Sequence, residues 1–283
     1  VRHPYGIVAG DVQPEGPRHH PAQASVPQTA PYDDDEAVVI PQGRKLNCKD
    51  LLAALRAIKW PRNYGRDNVK PDGLEFVHSF NLGAVPNHKG GLCLSAQHRG
   101  HNGSGGRLTQ VLTSVVQELP PPEGKAKVYF ISATLNKNFA AKLHTDKNNR
   151  GRSHTLILGD FESGGGLWVY QDGEPRAPIP SGTVDVDLRG RWAVDLPLGT
   201  RAEGQLLEDR ERLLPFDPDA PHMVAPFSGP GERFSITLYE RKEPLDKECY
   251  EALKRFNFRP RPLEEKEVDV EQEVGDNEEM ECV

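Results

Sequence analysis

The chain has 283 residues, of which 36% are apolar, and a formal net charge of −7. This length suits one large domain or two small ones, and it allows a sizeable buried core. No apolar run reaches the length of a membrane span, so we expect no membrane partner. The four cysteines lie far apart without a CxxC pair, which argues against a disulfide framework or a zinc ribbon.

The negative charge is concentrated at the two ends of the chain. Residues 264–283 contain ten acidic residues and one lysine, and residues 1–36 contain six acidic and two basic residues. The remaining body therefore has 26 acidic and 32 basic side chains, a net charge of +6. We predict a disordered proline-rich, acidic arm over 1–36, one domain over 37–263, and a disordered acidic tail over 264–283.

The pattern of apolar residues changes along the body. Helical spacing predicts helices over 46–59 and 106–119, with a last helix over 246–256. Short apolar segments separated by Gly, Pro and Asp predict strands over 127–135, 154–158, 167–170, 191–196, 222–225 and 233–240. The predicted fold class is α+β. A helical part over 37–126 precedes a β-barrel or sandwich core over 127–241, and the C-terminal helix closes the domain.

One cluster of residues has the composition of a metal site. His144 and Asp146 are separated by one residue, so in an extended segment both side chains point to the same side. His222 begins a later predicted strand, and we expect this strand to pair as a hairpin with the one that begins at Arg233. Two imidazoles and one carboxylate leave open positions on an octahedral ion, which is typical of non-haem Fe(II) and differs from the closed four-ligand sites of structural zinc.

The strand from Arg233 has a polar face. Arg233, Ser235, Thr237 and Tyr239 alternate with apolar residues, so they share one side of the strand. A buried arginine needs a partner, and a dicarboxylate fits because the guanidinium binds carboxylates with two parallel hydrogen bonds. The sequence therefore predicts that Arg233, assisted by Ser235, binds an anionic co-substrate.

The chain contains, in this order, the motifs HTD, GGGL, PH and RFS. This series resembles the Fe(II)/2-oxoglutarate-dependent dioxygenases, which have a double-stranded β-helix (jelly-roll) core. The segment HTDKNN and the RFS motif further resemble the TET/JBP branch of this superfamily, and in particular its small algal and protist members. Enzymes of this branch oxidise the methyl group of thymine or 5-methylcytosine in DNA. The resemblance implies that His144, Asp146 and His222 bind Fe(II), and that Arg233 and Ser235 bind 2-oxoglutarate.

The same resemblance implies a DNA partner whose methylated pyrimidine is flipped out of the duplex. Because the sequence shows neither a signal peptide nor a transmembrane segment, we expect a nuclear or otherwise intracellular location. In the TET/JBP branch the base is read after the ligand aspartate, which points to Asn149, with Asn148 as the alternative. Lys147 and Arg150 make this segment basic and suited to phosphates.

Three alternatives stay open from the sequence. The same site could hydroxylate a protein, an RNA or a small molecule, and a jelly roll could bind a ligand without turnover. Ascorbate could replace 2-oxoglutarate as the chelating co-substrate. His98 and His101 lie in a glycine-rich segment, where we expect exposed loop histidines without a role.

Overall fold

The computed structural model describes residues 35–98, 106–122, 127–170 and 204–262. The arm predicted over 1–36, except its last two residues, lies outside the described residues, as do the tail over 264–283, the strand over 191–196 and His101. None of the helices in the described part is long and apolar enough to cross a bilayer.

The three predicted helices are confirmed, with ends one or two residues inside the predicted ones. Helix α1 covers Cys48–Ala57, α2 covers Arg107–Glu118 and α3 covers Lys247–Arg255. Asn47 caps α1, because its side chain accepts hydrogen bonds from the first turn while Asp50 accepts one from the Asn47 backbone. The apolar face of each helix is buried, which is the arrangement that the helical spacing predicted.

The described residues form two main antiparallel sheets and one short strand pair. The strands are β1 His78–Pro86, β2 Leu92–Leu94, β3 Ser132–Lys137, β4 Asn149–Gly159, β5 Ser163–Gly164, β6 Leu167–Tyr170, β7 Gly204–Leu207, β8 Leu213–Phe216, β9 His222–Val224, β10 Phe227–Ser228 and β11 Arg233–Arg241. The large sheet has the order β2-β1-β3-β11-β4-β8, the small sheet has the order β7-β6-β9, and β5 pairs with β10. The predicted α+β mixture of helices and antiparallel strands is confirmed.

The main core lies between the helices and one face of the large sheet. Leu55 of α1, Leu112 of α2 and Leu253 of α3 belong to the same buried cluster as Leu156 of β4 and Ile236 of β11. Since side chains alternate along a strand, the odd-numbered residues of β11 from Arg233 to Tyr239 face away from this core. The helices therefore cover one face of the sheet and leave the other face for the cavity described below.

Two expectations about the architecture need correction. The part predicted as helical, 37–126, also contains β1 and β2, which extend the large sheet. The hairpin predicted between the strands at His222 and Arg233 is wrong, because β9 pairs with β6 and β11 pairs with β3 and β4. The segment between them crosses from one sheet to the other, and its own backbone pairs as β10 with β5.

His98 is buried, contrary to expectation. Only 4% of its surface is exposed. Its Nε2 accepts a hydrogen bond from the Gly83 backbone N–H at 2.7 Å, and its ring stacks on Phe256 with centroids 4.9 Å apart. His98 therefore has a structural role between β1 and the chain that follows α3.

Candidate metal centre and its cavity

A cavity of about 300 Å³ lies between the two sheets. Its walls include Thr155, Ser235 and Tyr239 from the large sheet and Leu167 and Val224 from the small sheet. Most of the other lining side chains are polar, and they include all three residues predicted to bind the metal. The cavity is therefore suited to a polar or charged ligand.

The structure brings His144, Asp146 and His222 together on one wall of this cavity. One potential ligand atom from each side chain lies within 4.8 Å of the other two. The Nε2 atoms of His144 and His222 lie 3.9 and 3.7 Å from the Asp146 carboxylate oxygens. Residues 144 and 222 also pair as an isolated antiparallel bridge with backbone N–O distances of 3.0 and 2.9 Å, so the two imidazoles come from adjacent strand-like segments.

Backbone carbonyls fix the orientation of both imidazole rings. Nδ1 of His144 lies 2.6 Å from the Lys142 carbonyl oxygen, and Nδ1 of His222 lies 2.9 Å from the Ala220 carbonyl oxygen. Because a carbonyl can only accept, each Nδ1 carries the proton and donates it. Each Nε2 therefore presents its lone pair toward Asp146, which is the tautomer that a metal ligand needs.

The charge states of the cluster also fit a metal. Burial, followed by the nearby His222, lowers the pKa of His144 to about 4, so its ring is neutral at neutral pH. Burial raises the pKa of Asp146, but the interactions with His222, His144 and Arg66 outweigh it and leave this pKa below its ordinary value. A neutral imidazole at His144 and an ionised carboxylate at Asp146 are the donor forms that bind a divalent transition metal.

The lowered pKa of His144 predicts an acid-sensitive fold in the absence of metal. The pKa is about 4 in the folded state and 6.5 when the side chain is exposed, so the unfolded chain binds more protons between these values. The free energy of unfolding should therefore fall as the pH drops from about 6.5 to about 4, by about 3 kcal/mol from this residue. Urea unfolding of the metal-free protein across this range measures the effect. The fall in the free energy of unfolding between pH 6.5 and pH 4 should be much smaller in His144→Asn. It should be unchanged in His88→Asn, which alters an exposed histidine. A fall in His144→Asn equal to that of wild type would contradict His144 as its cause.

Arg233 is a buried cation in the same cavity, with 1% of its surface exposed. Its Nε donates to the Gly165 carbonyl oxygen at 2.8 Å and its Nη1 donates to the Ser235 hydroxyl at 3.3 Å. Burial, with a smaller contribution from Arg210, lowers the pKa of Arg233 to about 10, so the guanidinium remains charged at neutral pH. Among the described residues no carboxylate forms an ion pair with it, which leaves the charge available to an anionic ligand.

The glycine run before β6 makes room for the Arg233 side chain. Gly165 has a φ of +73°, and a Cβ at this position would lie 2.8 Å from Arg233 Nε and 2.8 Å from a ring carbon of Phe161. The left-handed backbone conformation at residue 165 and the lack of space for a Cβ atom therefore both require glycine.

Replacing this glycine tests the position of the guanidinium. The sequence resemblance implies 2-oxoglutarate as the ligand of Arg233. On that expectation, Gly165→Ala should displace Arg233 and weaken binding of 2-oxoglutarate by about tenfold or more, the effect of losing roughly one charge-assisted hydrogen bond. Gly43→Ala is the matched control, because Gly43 has a φ of +76° with no atom near the added methyl group. Both variants should lose stability, and only Gly165→Ala should lose the rise in melting temperature on adding 2-oxoglutarate. A normal rise would contradict the role of Gly165.

The structure places three of the four predicted substrate residues at the cavity. Lys147 and Asn148 are exposed at its rim, whereas Asn149 is buried and donates from Nδ2 to the Ser153 hydroxyl at 3.1 Å. Arg150 does not line this cavity; it lines a separate, small one beside Glu240. The reason is strand alternation, because β4 begins at Asn149 and the next side chain points to the opposite face.

Sequence reasoning missed several polar residues of the cavity, and three of them come from the first half of the fold. Arg66 comes from the loop before β1, Asn81 comes from β1 and Asn136 from β3. Their hydrogen bonds include Thr134 Oγ1 to Asn81 Oδ1 at 2.7 Å and Ser79 Oγ to Asn136 Oδ1 at 2.7 Å. The alternation of polar and apolar residues from 79 to 82 was a signal for β1, but no local pattern marks Arg66.

Comparison with known proteins gives similarities to solved structures, among them the two that follow. No protein-family model matches the chain, and no curated protein matches it. The structure is similar to NgTET1 in complex with 5-methylcytosine DNA, with 15% identity over 62% of this chain and 68% of that chain and a TM-score of 0.34. It is also similar to an oxidoreductase of the 2-oxoglutarate–Fe(II) oxygenase family from Burkholderia pseudomallei, with 13% identity over 63% and 74% of the chains and a TM-score of 0.33.

With TM-scores below 0.5 the likeness is partial. The functional assignment therefore depends on the geometry of the cavity itself.

Proposed function

We propose that this protein is an Fe(II)- and 2-oxoglutarate-dependent dioxygenase that oxidises the methyl group of a methylated pyrimidine in DNA. The observation that carries the proposal is the pairing of two features in one cavity. The cluster of His144, Asp146 and His222 offers three ligands in their metal-binding forms, and Arg233 offers a buried cation without a carboxylate partner among the described residues.

The strand connections support a jelly-roll core within this proposal. Between β3 and β11 the chain passes repeatedly from one sheet to the other: β3, β4, β8 and β11 belong to the large sheet, while β6, β7 and β9 belong to the small one. The segment at His144 joins the small sheet through its bridge to His222. Two facing antiparallel sheets linked by such crossings are typical of the double-stranded β-helix.

Each proposed role follows from the position of the side chain. His144, Asp146 and His222 would hold Fe(II) and leave open positions toward the cavity. Arg233 would bind the carboxylate of 2-oxoglutarate farther from the metal, and Ser235, which already accepts a hydrogen bond from Arg233, would orient it. When bound, Fe(II) with 2-oxoglutarate and O2 supplies an oxidation that inserts one oxygen atom into a C–H bond, with succinate and CO2 as the other products.

The protein contributes placement and exclusion of water. The carbonyl oxygens of residues 142 and 220 keep both imidazoles in one tautomer and one orientation. The rigid walls of the two sheets limit the orientations in which a substrate methyl group can approach the metal.

The rim of the cavity supports a nucleic-acid substrate. Lys147 and Asn148 are exposed beside the metal cluster, where a lysine can contact a phosphate and an amide can pair with a base edge. Asn149 lies deeper in the cavity, and its Nδ2 donates to the Ser153 hydroxyl. Because the metal cluster lies inside a cavity, a base in a duplex would have to be flipped out to reach it.

The test is turnover with defined substrates. The protein is incubated with Fe(II), 2-oxoglutarate and oligonucleotides that differ only in cytosine, 5-methylcytosine or thymine, and the nucleosides are analysed by mass spectrometry. We expect an oxidised methylpyrimidine and matching succinate, with neither product from Asp146→Asn. Succinate formation only with a protein, an RNA or a small molecule would refute the DNA substrate. Full activity with ascorbate alone would refute 2-oxoglutarate as the co-substrate.

A further inference from the structure

We propose that the loop between α1 and β1, residues 58–77, binds the nucleic-acid strand next to the target nucleotide. Arg66 would contact a phosphate, and Tyr64 would stack on a neighbouring unpaired base. The identity of the target nucleotide depends on the proposed function, whereas strand binding by this loop can be measured without turnover.

The first argument is the charge balance of the cavity. Its charged lining residues, apart from Arg241 with its partner Glu243, are Arg66, Asp146, Lys147 and Arg233. The two charges of Fe(II) balance those of 2-oxoglutarate, and Asp146 balances Arg233. Arg66 and Lys147 remain as two positive charges, so the substrate that completes the site should be anionic.

The second argument is the position of Arg66. Backbone hydrogen bonds between Asn63 and Val77 close the base of the loop, at 2.8 and 3.0 Å. The Val69 carbonyl oxygen accepts from the Lys142 backbone N–H at 2.8 Å, which fixes the loop beside the segment of His144. Arg66 is thereby held at the cavity wall, where its charge lowers the pKa of both His144 and Asp146.

Arg66 also keeps hydrogen-bonding capacity for a ligand. Its Nε is buried and has no hydrogen-bond partner in the described part of the chain. Two of the three acidic residues of the loop pair with lysines: Asp67 with Lys70 at 2.8 Å and Asp72 with Lys142 at 2.6 Å. A buried donor without a partner is costly, and a phosphate oxygen would satisfy it.

The third argument is a row of aromatic rings on this loop and at the first residue of β1. The ring centroids of Tyr64 and Phe76 are 5.7 Å apart, and those of Phe76 and His78 are 5.4 Å apart. The Arg62 guanidinium lies 4.7 Å from the Phe76 centroid and covers that ring. Tyr64, at the end of the row and two residues before Arg66, is 51% exposed.

Exposed aromatic rings beside basic side chains are the usual means of binding single-stranded nucleic acid, because every base can stack on an aromatic face. Arg66 and Tyr64 are close enough along the chain to contact one nucleotide and its neighbour. A strand that is unpaired around a flipped nucleotide therefore fits this loop better than an acidic peptide, which would need the positive charges but not the exposed ring.

The experiment measures binding of a fluorescent single-stranded oligonucleotide by anisotropy over a series of salt concentrations. Arg66→Gln should reduce the slope of log K against log salt by about 0.7, since one phosphate contact to a single strand is lost. Tyr64→Ala should weaken binding by about tenfold, the effect of one lost stacking contact, without changing the slope. Arg212→Gln, an exposed arginine outside the cavity, and Leu74→Ala, an exposed apolar residue of the same loop, are the matched controls.

The outcomes separate this inference from the proposed function. If wild type binds the oligonucleotide and both variants bind it more weakly as expected, the loop is a strand-binding site. This result holds even if no oxidised base forms and the proposed function fails. Oxidation of DNA by wild type, with Arg66→Gln and Tyr64→Ala indistinguishable from their controls, overturns the loop and leaves the proposed function standing. Unchanged melting temperatures of both variants establish that the fold is intact.

Discussion

Replacing Asp146 with alanine should abolish iron binding and turnover while the fold persists. The carboxylate is the only negatively charged member of the cluster, and the two imidazole Nε2 atoms face it at 3.9 and 3.7 Å. Changes to residues that only orient a metal ligand typically reduce affinity or activity by about 10- to 100-fold. Loss of a ligand itself should exceed that range, so we expect activity to fall by more than about 100-fold. Metal analysis after dialysis and the production of succinate are the two measurements.

Controls separate the metal site from a general loss of charge. Asp209→Ala removes an exposed carboxylate that pairs with Arg212, and it should retain iron and activity. His144→Ala and His222→Ala should behave like Asp146→Ala, because each removes one of the three ligand atoms. Normal iron content or turnover in any of these three variants would exclude the proposed ligand set.

Local sequence patterns predicted much of this site, because they depend on neighbours along the chain. His144 and Asp146 share a side since they are two residues apart in an extended segment. The polar face of β11 follows from alternation alone, and the structure places Arg233, Ser235, Thr237 and Tyr239 at the cavity. The three helices were also predictable from local sequence, because apolar residues at helical spacing form one face that is buried in the folded protein.

Features that depend on pairing between distant segments could not be predicted in the same way. The turn after His222 has the Pro and Gly content of a hairpin, yet β9 and β11 belong to different sheets. The residue types of a turn indicate that the chain changes direction there, but they do not indicate which strand each flanking strand pairs with. Arg150 was assigned to the substrate from its closeness in sequence to Asp146, but the first residues of β4 alternate in direction and turn it away.

Arg66 is the clearest example of a residue that only the fold brings to the site. It lies 80 positions before Asp146 in the sequence, and no motif surrounds it. The loop reaches the cavity because Val69 pairs with Lys142 and because Asn63 pairs with Val77. Both contacts join segments whose association depends on the completed sheet.

Arg233→Met should abolish the response to 2-oxoglutarate without a loss of stability. The buried guanidinium has no carboxylate partner among the described residues, and burial lowers its pKa to about 10. A buried charge typically costs several kcal/mol, whereas the Gly165 carbonyl that loses its donor costs about 1–3 kcal/mol. The free energy of unfolding should therefore stay level or rise by up to about 2 kcal/mol. Losing one partner of a buried charge pair costs about 2–5 kcal/mol in binding, so affinity for 2-oxoglutarate should fall by about 30-fold or more.

Thermal and chemical unfolding with and without 2-oxoglutarate measure both effects in one series. A ligand at about 100 times its Kd stabilises the folded state by about 2.7 kcal/mol, so wild type should melt at a clearly higher temperature when the co-substrate and a divalent metal are present. Arg233→Met should show no such rise. Arg233→Lys keeps a positive charge but cannot form two parallel hydrogen bonds with a carboxylate, and it should respond weakly. A less stable Arg233→Met that still responds fully would mean that the buried arginine supports the fold and that another residue binds the co-substrate.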